Sequence, residues 1–162
     1  MNKVGDLKVT APGDRDVVMT RTFDAPRRLV WDAFTKPELV QRWLLGPDGW
    51  SMPVCEIDLR VGGKYRYVWR KDQAETEMGM GGVFREVRPP ERLVHTEKFD
   101  ESWYPGEALI TTVFAETAGK TLVTQTMHLE SREARDAVLK SGMESGVEAG
   151  YHRLDRILAE MA

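Results

Sequence analysis

The stretch SREARDAVLKSGMESGVEAGYHRLDRILAEM, from Ser131 to Met161, decides the fold. Its apolar residues fall at Ala134, Val138, Val147, Tyr151, Leu154, Leu158 and Met161, and from Val147 onward the steps are four, three, four and three. That spacing is one face of a helix. Arg135, Lys140, Glu144, Glu148, Arg153 and Glu160 take the other face. Ser131 is placed to cap the N-terminus, and Glu133 puts a negative charge in the first turn, where the helix dipole favours it. Read as one helix, the stretch runs about 45 Å at about 1.5 Å per residue. Its apolar side needs a large partner. Most of the chain before it reads as strands, so that partner is a sheet.

Working outward, the chain has 162 residues, net charge −3 and a pI near 5.7. That length suits one domain able to bury about two thirds of its unfolded surface. No basic run marks a nucleic-acid footprint or a membrane-surface patch. No apolar run approaches a membrane span, and no hydrophobic leader opens the sequence. The single cysteine, Cys55, cannot form an internal disulfide. The expectation is a cytoplasmic protein without nucleic-acid or membrane partners.

Residues 1–14, with the breaker Ala11-Pro12-Gly13, read as a mobile or loosely docked arm, and residues 15–162 as the domain. Asp16 to Phe23 alternates as a first strand. Asp24-Ala25-Pro26 opens a helix carrying Leu29, Val30, Trp31 and Phe34, and Pro37 opens a second with Leu39, Val40, Trp43 and Leu44. From Met52 the period becomes two, giving strands at 52–60, 64–71, 76–87, 91–99, 107–116 and 120–129. Gly62-Gly63, Lys71-Asp72-Gln73, Arg88-Pro89-Pro90 and Ala118-Gly119 are the short turns, and residues 100–106 the longer link. Short links pair neighbours as an antiparallel meander. The expected fold is α+β: a curved antiparallel sheet of six to seven strands wrapped on a long C-terminal helix, with two short helices after the first strand.

Four motifs, in order along the chain, carry a resemblance. They are Phe23-Asp24-Ala25-Pro26 through Thr35-Lys36-Pro37-Glu38, Asp58 to Tyr65 around Gly62-Gly63, Glu86 to Leu93 around Pro89-Pro90, and Leu154-Asp155-Arg156-Ile157-Leu158. Together they resemble the AHSA-like family, related to the C-terminal domain of the activator of the ninety-kilodalton heat-shock protein's ATPase. That family lies in the START-like (SRPBCC, birch-pollen-allergen) superfamily. The resemblance covers about Asp16 to Met161. It implies a helix-grip fold whose cavity, between sheet and last helix, holds apolar or amphipathic ligands, and it raises a chaperone as a possible partner. It implies no single activity, since the fold serves carriers, receptors, cyclases and cochaperone domains. One departure bears on the pocket side of the helix: many members carry Gly-Trp where this chain has Ala149-Gly150.

The candidate lining follows from the faces. Tyr65, Tyr67, Trp69, Met78, Met80, Phe84, His95 and Phe99 come from the sheet, and Phe34, Trp43, Val147, Gly150, Tyr151 and Leu154 from the helices. If Gly62-Gly63 is the whole turn, Arg60 faces Tyr65, Asp58 faces Tyr67 and Glu56 faces Trp69, which makes Glu56 and Asp58 polar anchors of an apolar pocket. A bulge there reverses the register and sends both acids to solvent. Gly142, Gly146 and Gly150 recur every fourth residue, each costing a helix about 1 kcal/mol against alanine. Room for a ligand, close approach of a strand, or a helix break at Gly142 would each explain them. Trp50 with Met52, and Trp103-Tyr104, are either a gate over the cavity or packing beneath loops. His95, His128 and His152 show no metal-ligand spacing, and no cofactor motif is present. No catalytic constellation is legible, although His95 or Asp58 could serve as a base inside a cavity. The expected protein binds a small apolar or amphipathic molecule, as monomer or homodimer.

Overall fold

The computed structural model describes residues 5–162. The start of the N-terminal arm, residues 1–4, lies outside them. Along the chain come β1 (Lys8–Thr10), β2 (Asp16–Phe23), α1 (Arg27–Thr35), α2 (Pro37–Trp43), β3 (Trp50–Ile57), β4 (Lys64–Lys71), β5 (Glu77–Arg88), β6 (Arg92–Phe99), β7 (Ala108–Thr117), β8 (Lys120–His128), α3 (Arg132–Lys140) and α4 (Met143–Met161). The eight strands form one antiparallel sheet ordered β1-β2-β8-β7-β6-β5-β4-β3. This is the expected α+β architecture with one strand more. The extra strand lies in the segment expected to be an arm: Lys8, Val9 and Thr10 pair with Thr20, Met19 and Val18.

Local chemistry explains the elements. Ala118 and Gly119 both take positive φ, at 52° and 77°, which closes β7 onto β8 as a two-residue hairpin pairing Thr117 with Lys120. Ser131 caps α3 by accepting a hydrogen bond from the Ala134 N–H at 3.1 Å.

The single C-terminal helix expected from the spacing is two. Gly142 sits in the left-handed region at φ 78°, ending one helical run and capping the next. Only glycine adopts that conformation without cost, so of its open readings the helix break is the one the structure supports. The break lets each helix cover its own patch of core. Ala134 and Val138 of α3 pack with Val17, Ile110 and Leu129. Tyr151, Leu154, Ile157 and Leu158 of α4 pack with Phe23, Phe114, Val123 and the helices α1 and α2.

One buried ion pair ties β2 to α4. Arg21 is 2% exposed and donates to both oxygens of Asp155, each at 2.6 Å. Its guanidinium also lies 4.6 Å from the centre of the Phe23 ring.

Candidate functional site

Between the sheet and α4 lies a cavity of about 250 Å³. β4 contributes Tyr65, Tyr67 and Trp69, β5 contributes Met80 and Phe84, and β6 contributes His95 and Phe99. Phe34 and Trp43 enter from the short helices, and Val147, Gly150 and Tyr151 from α4. All of these were expected from the sequence. Two indole hydrogen bonds fix lining residues in place: Trp43 Nε1 donates to the Ala33 carbonyl at 2.8 Å, and Trp69 Nε1 to the Leu44 carbonyl at 2.7 Å. Arg153 of α4 holds the loop after α2 by donating to the Gly46 carbonyl at 2.7 Å and to Asp48 at 2.8 Å.

Four expected lining residues are elsewhere. Glu56 and Asp58 face solvent, because the hairpin between β3 and β4 is not a two-residue turn. Tyr65 pairs with Ile57 rather than Arg60, an offset of three residues, and an odd offset exchanges the two faces of a strand. Glu56 therefore lies opposite Arg66, and Asp58 closes an ion pair with Arg60 at 2.9 Å inside the loop. The loop folds back on β5: the Gly62 N–H donates to the Phe84 carbonyl at 2.8 Å, and the Phe84 N–H to the Gly63 carbonyl at 2.9 Å. A side chain at Gly63 would collide with the Asp58 carbonyl oxygen. Met78 is 39% exposed near the end of its strand. Leu154 is fully buried one layer behind the cavity, against the core.

The glycine row has a packing reason. A Cβ on Gly150 would stand 3.0 Å from the Trp43 carbonyl oxygen, so the close approach is by the end of α2, not by a strand. Gly146 faces Gly46 and Pro47 at ordinary contact distance. Both also border the cavity. Of the aromatic loop residues, Trp103 reaches the cavity and Tyr104 is buried beside it, whereas Met52 packs in the core away from it.

The polar groups of the cavity gather on the sheet. Tyr65 donates its hydroxyl hydrogen to the Thr96 carbonyl at 2.6 Å. His95 Nδ1 lies 3.0 Å from that hydroxyl and 3.1 Å from the same carbonyl. Because the Tyr65 proton is already committed, Nδ1 carries a hydrogen and Nε2 is left as the acceptor. Burial pushes the His95 pKa down to about 4, so the ring is neutral.

Glu97 was not singled out from the sequence. It sits between His95 and Phe99 on the same face of β6 and lines the cavity, a position that the period-two pattern of the strand already implied. Burial drives its carboxyl up to about 7, and the approach of the Tyr104 hydroxyl offsets this only in part. The geometry falls short of a hydrogen bond: Glu97 Oε2 and Tyr104 Oη are both buried without a partner. Further along the floor, Gln125 Nε2 donates to Thr112 Oγ1 at 3.3 Å. The cavity lining includes no lysine or arginine. Among the described residues, no three histidine, cysteine or acidic side chains cluster to hold a metal.

A family model described as Activator of Hsp90 ATPase homolog 1-like protein matches residues 24–159. The chain belongs to that family. A solved structure from Rhodobacter sphaeroides is 32% identical, with a TM-score of 0.90 over 96% of this chain and 99% of that one. A Nitrosomonas europaea structure is 25% identical, with a TM-score of 0.80 over 94% of this chain and 99% of that one. An AHSA1-like protein from Aeromonas hydrophila shares the fold, at 20% identity and a TM-score of 0.70 over 86% and 93% of the two chains. No curated protein matches the sequence.

The motifs that carried the resemblance to the Activator of Hsp90 ATPase homolog 1-like family have structural work in this member. Asp155 of the helix motif is the partner of Arg21. Glu86 of the β5–β6 motif bonds Arg92 across the turn at 3.0 Å. The glycine hairpin docks on β5. Two of these motifs also lend the cavity a polar group, Thr35 and the Tyr65 hydroxyl, while His95 and Glu97 come from β6 and Thr112 and Gln125 from β7 and β8.

Proposed function

We propose that this protein is a binding module that holds a small apolar or amphipathic molecule between the sheet and α4. The observation that carries the reading is the cavity itself, walled by aromatic side chains with its one carboxylate and one histidine both on β6. A well-packed core leaves few voids larger than a water molecule, so a cavity of about 250 Å³ calls for an occupant. It lies just under the roughly 300–1,000 Å³ common for ligand sites, which favours a small ligand. We assign no catalytic role. The reading is of a cytoplasmic protein, and no described helix is long and apolar enough to cross a membrane.

Native mass spectrometry of the purified protein, with extraction of anything bound, tests this. A reproducible mass released on denaturation is the expected result. Val147→Trp, which fills the cavity from the partly exposed helix side, should abolish it while the variant stays folded. A clean ligand-free mass, with no thermal stabilisation by a broad panel of small apolar molecules, would remove the proposal. A second reading, regulation of a chaperone ATPase, draws on the family match. An ATPase assay with the cognate chaperone that shows no change on adding this protein would remove that one.

A further inference from the structure

Resting on the cavity reading above, we infer that the ligand is a small lipophilic organic cation, and that Glu97 is its counter-ion. The argument begins with what the cavity lacks. Its lining holds one carboxylate, a neutral histidine and no lysine or arginine. The two buried arginines are engaged elsewhere, Arg21 with Asp155 and Arg135 with the Ala11, Gly13 and Asp16 carbonyls, and Arg66 of β4 is paired with Asp100 at 2.6 Å. A buried acid with an unpartnered oxygen is costly to keep, and native proteins rarely leave one so. The Tyr104 hydroxyl beside it is a neutral donor and leaves the charge of the ionised acid unanswered; a donor that carries positive charge answers it.

The surroundings suit that partner. Phe99, next on the same strand face, stacks on Trp69 with centroids 6.5 Å apart and meets Trp103 at 5.6 Å and Tyr104 at 6.2 Å. Aromatic faces attract an organic cation most where water is excluded. An anionic ligand would meet like charge in a low-dielectric space, and an apolar one would leave Glu97 without a counter-ion. The titratable groups facing Glu97 are Tyr65 and Tyr67 from β4, His95 on its own strand and Tyr104 from the β6–β7 loop, with Glu107 further along that loop. None of them is a cation near neutral pH. The raised carboxyl pKa is what an acid shows when it is kept from both water and positive charge.

Three probes with one alkyl chain separate the possibilities: octylammonium, 1-octanol and octanoate. Binding to the ligand-free protein is read by calorimetry and by the fluorescence of Trp43, Trp69 and Trp103. At about pH 8, octylammonium should bind about tenfold or more tighter than 1-octanol, and octanoate most weakly. Glu97→Gln should lose the preference for the ammonium, so that octylammonium binds no tighter than 1-octanol. In the wild-type protein, octylammonium affinity should rise about tenfold per pH unit up to about pH 7 and then level, as the cation displaces the Glu97 proton. That profile stands on its own if Glu97→Gln fails to fold. Octanoate or 1-octanol binding as well as octylammonium would overturn the inference, as would a preference that survives Glu97→Gln or a flat pH profile. Failure of all three probes would instead remove the cavity reading on which the inference rests.

Discussion

Replacing Glu97 by glutamine should stabilise the ligand-free protein at alkaline pH and leave it nearly unchanged at acid pH. The Glu97 carboxyl rises from 4.5 to about 7 on folding, and at about 1.4 kcal/mol per pH unit this is ~3 kcal/mol. A raised folded pKa means that the native state holds the proton more tightly than the unfolded chain. The associated stability is fully present below 4.5 and is lost as pH rises through about 7. Glutamine keeps the shape and never ionises, so it escapes that loss. His95 works in the opposite sense: its pKa falls from 6.5 to about 4, so its stability is present above 6.5 and lost as pH falls through about 4. Over the shared window the two slopes oppose each other and the wild-type profile is nearly level, whereas Glu97→Gln exposes the His95 slope and gains stability with rising pH. Urea unfolding followed by tryptophan fluorescence at about pH 4.5 and about pH 8 gives the comparison. The free-energy difference between variant and wild type should move by ~3 kcal/mol in favour of glutamine across that interval. An unchanged difference would show that Glu97 is hydrated in the native state and refute the reasoning.

Asp155→Ala strands Arg21 in the core and should cost about 3 kcal/mol, at the low end for a broken buried pair because Asp155 is 35% exposed; a loss under about 1 kcal/mol in urea unfolding would deny the pair that role. Gly146→Ala should stabilise by about 0.5–1 kcal/mol, since its Cβ meets Pro47 at an ordinary 3.6 Å, whereas at Gly150 the same helix gain is opposed by the Trp43 carbonyl at 3.0 Å. Equal effects at the two positions would mean that the approach of α2 is not what selects glycine. The Cys55 thiol is pushed up to about 11 by burial and then by Glu38, so its alkylation at about pH 8 should run about a hundredfold slower than that of a free cysteine with a pKa of 9. A rate equal to that of an exposed thiol contradicts the burial.

What could be read from the sequence was whatever is decided by neighbours along the chain. The Ser131 cap and the Ala118-Gly119 hairpin depend on a few adjacent residues, and both are where the sequence puts them. Twelve of the lining residues were legible because strand and helix periods sort side chains onto faces. The break at Gly142 was among the open readings, but apolar spacing that resumes beyond a glycine cannot reveal that the axis has turned. Glu56 and Asp58 were misplaced for a similar reason: the alternation is equally regular in either register, and only the return of Gly62 and Gly63 onto β5 selects one. The Arg21–Asp155 pair joins residues far apart in the chain, beyond the reach of any local pattern. Glu97 is the sharpest case. On β6, both faces mix charged and apolar residues, with Arg92, Thr96 and Lys98 on one and His95 and Glu97 on the other, so composition does not single out Glu97 even though its neighbours His95 and Phe99 were assigned to the cavity face. Pairing Phe84 with His95 and Met80 with Phe99 settles it, and places an acid where a sequence reader expects solvent. A charged residue that strand pairing carries into an apolar cavity breaks the local rule, and such breaks mark the positions where function is to be sought.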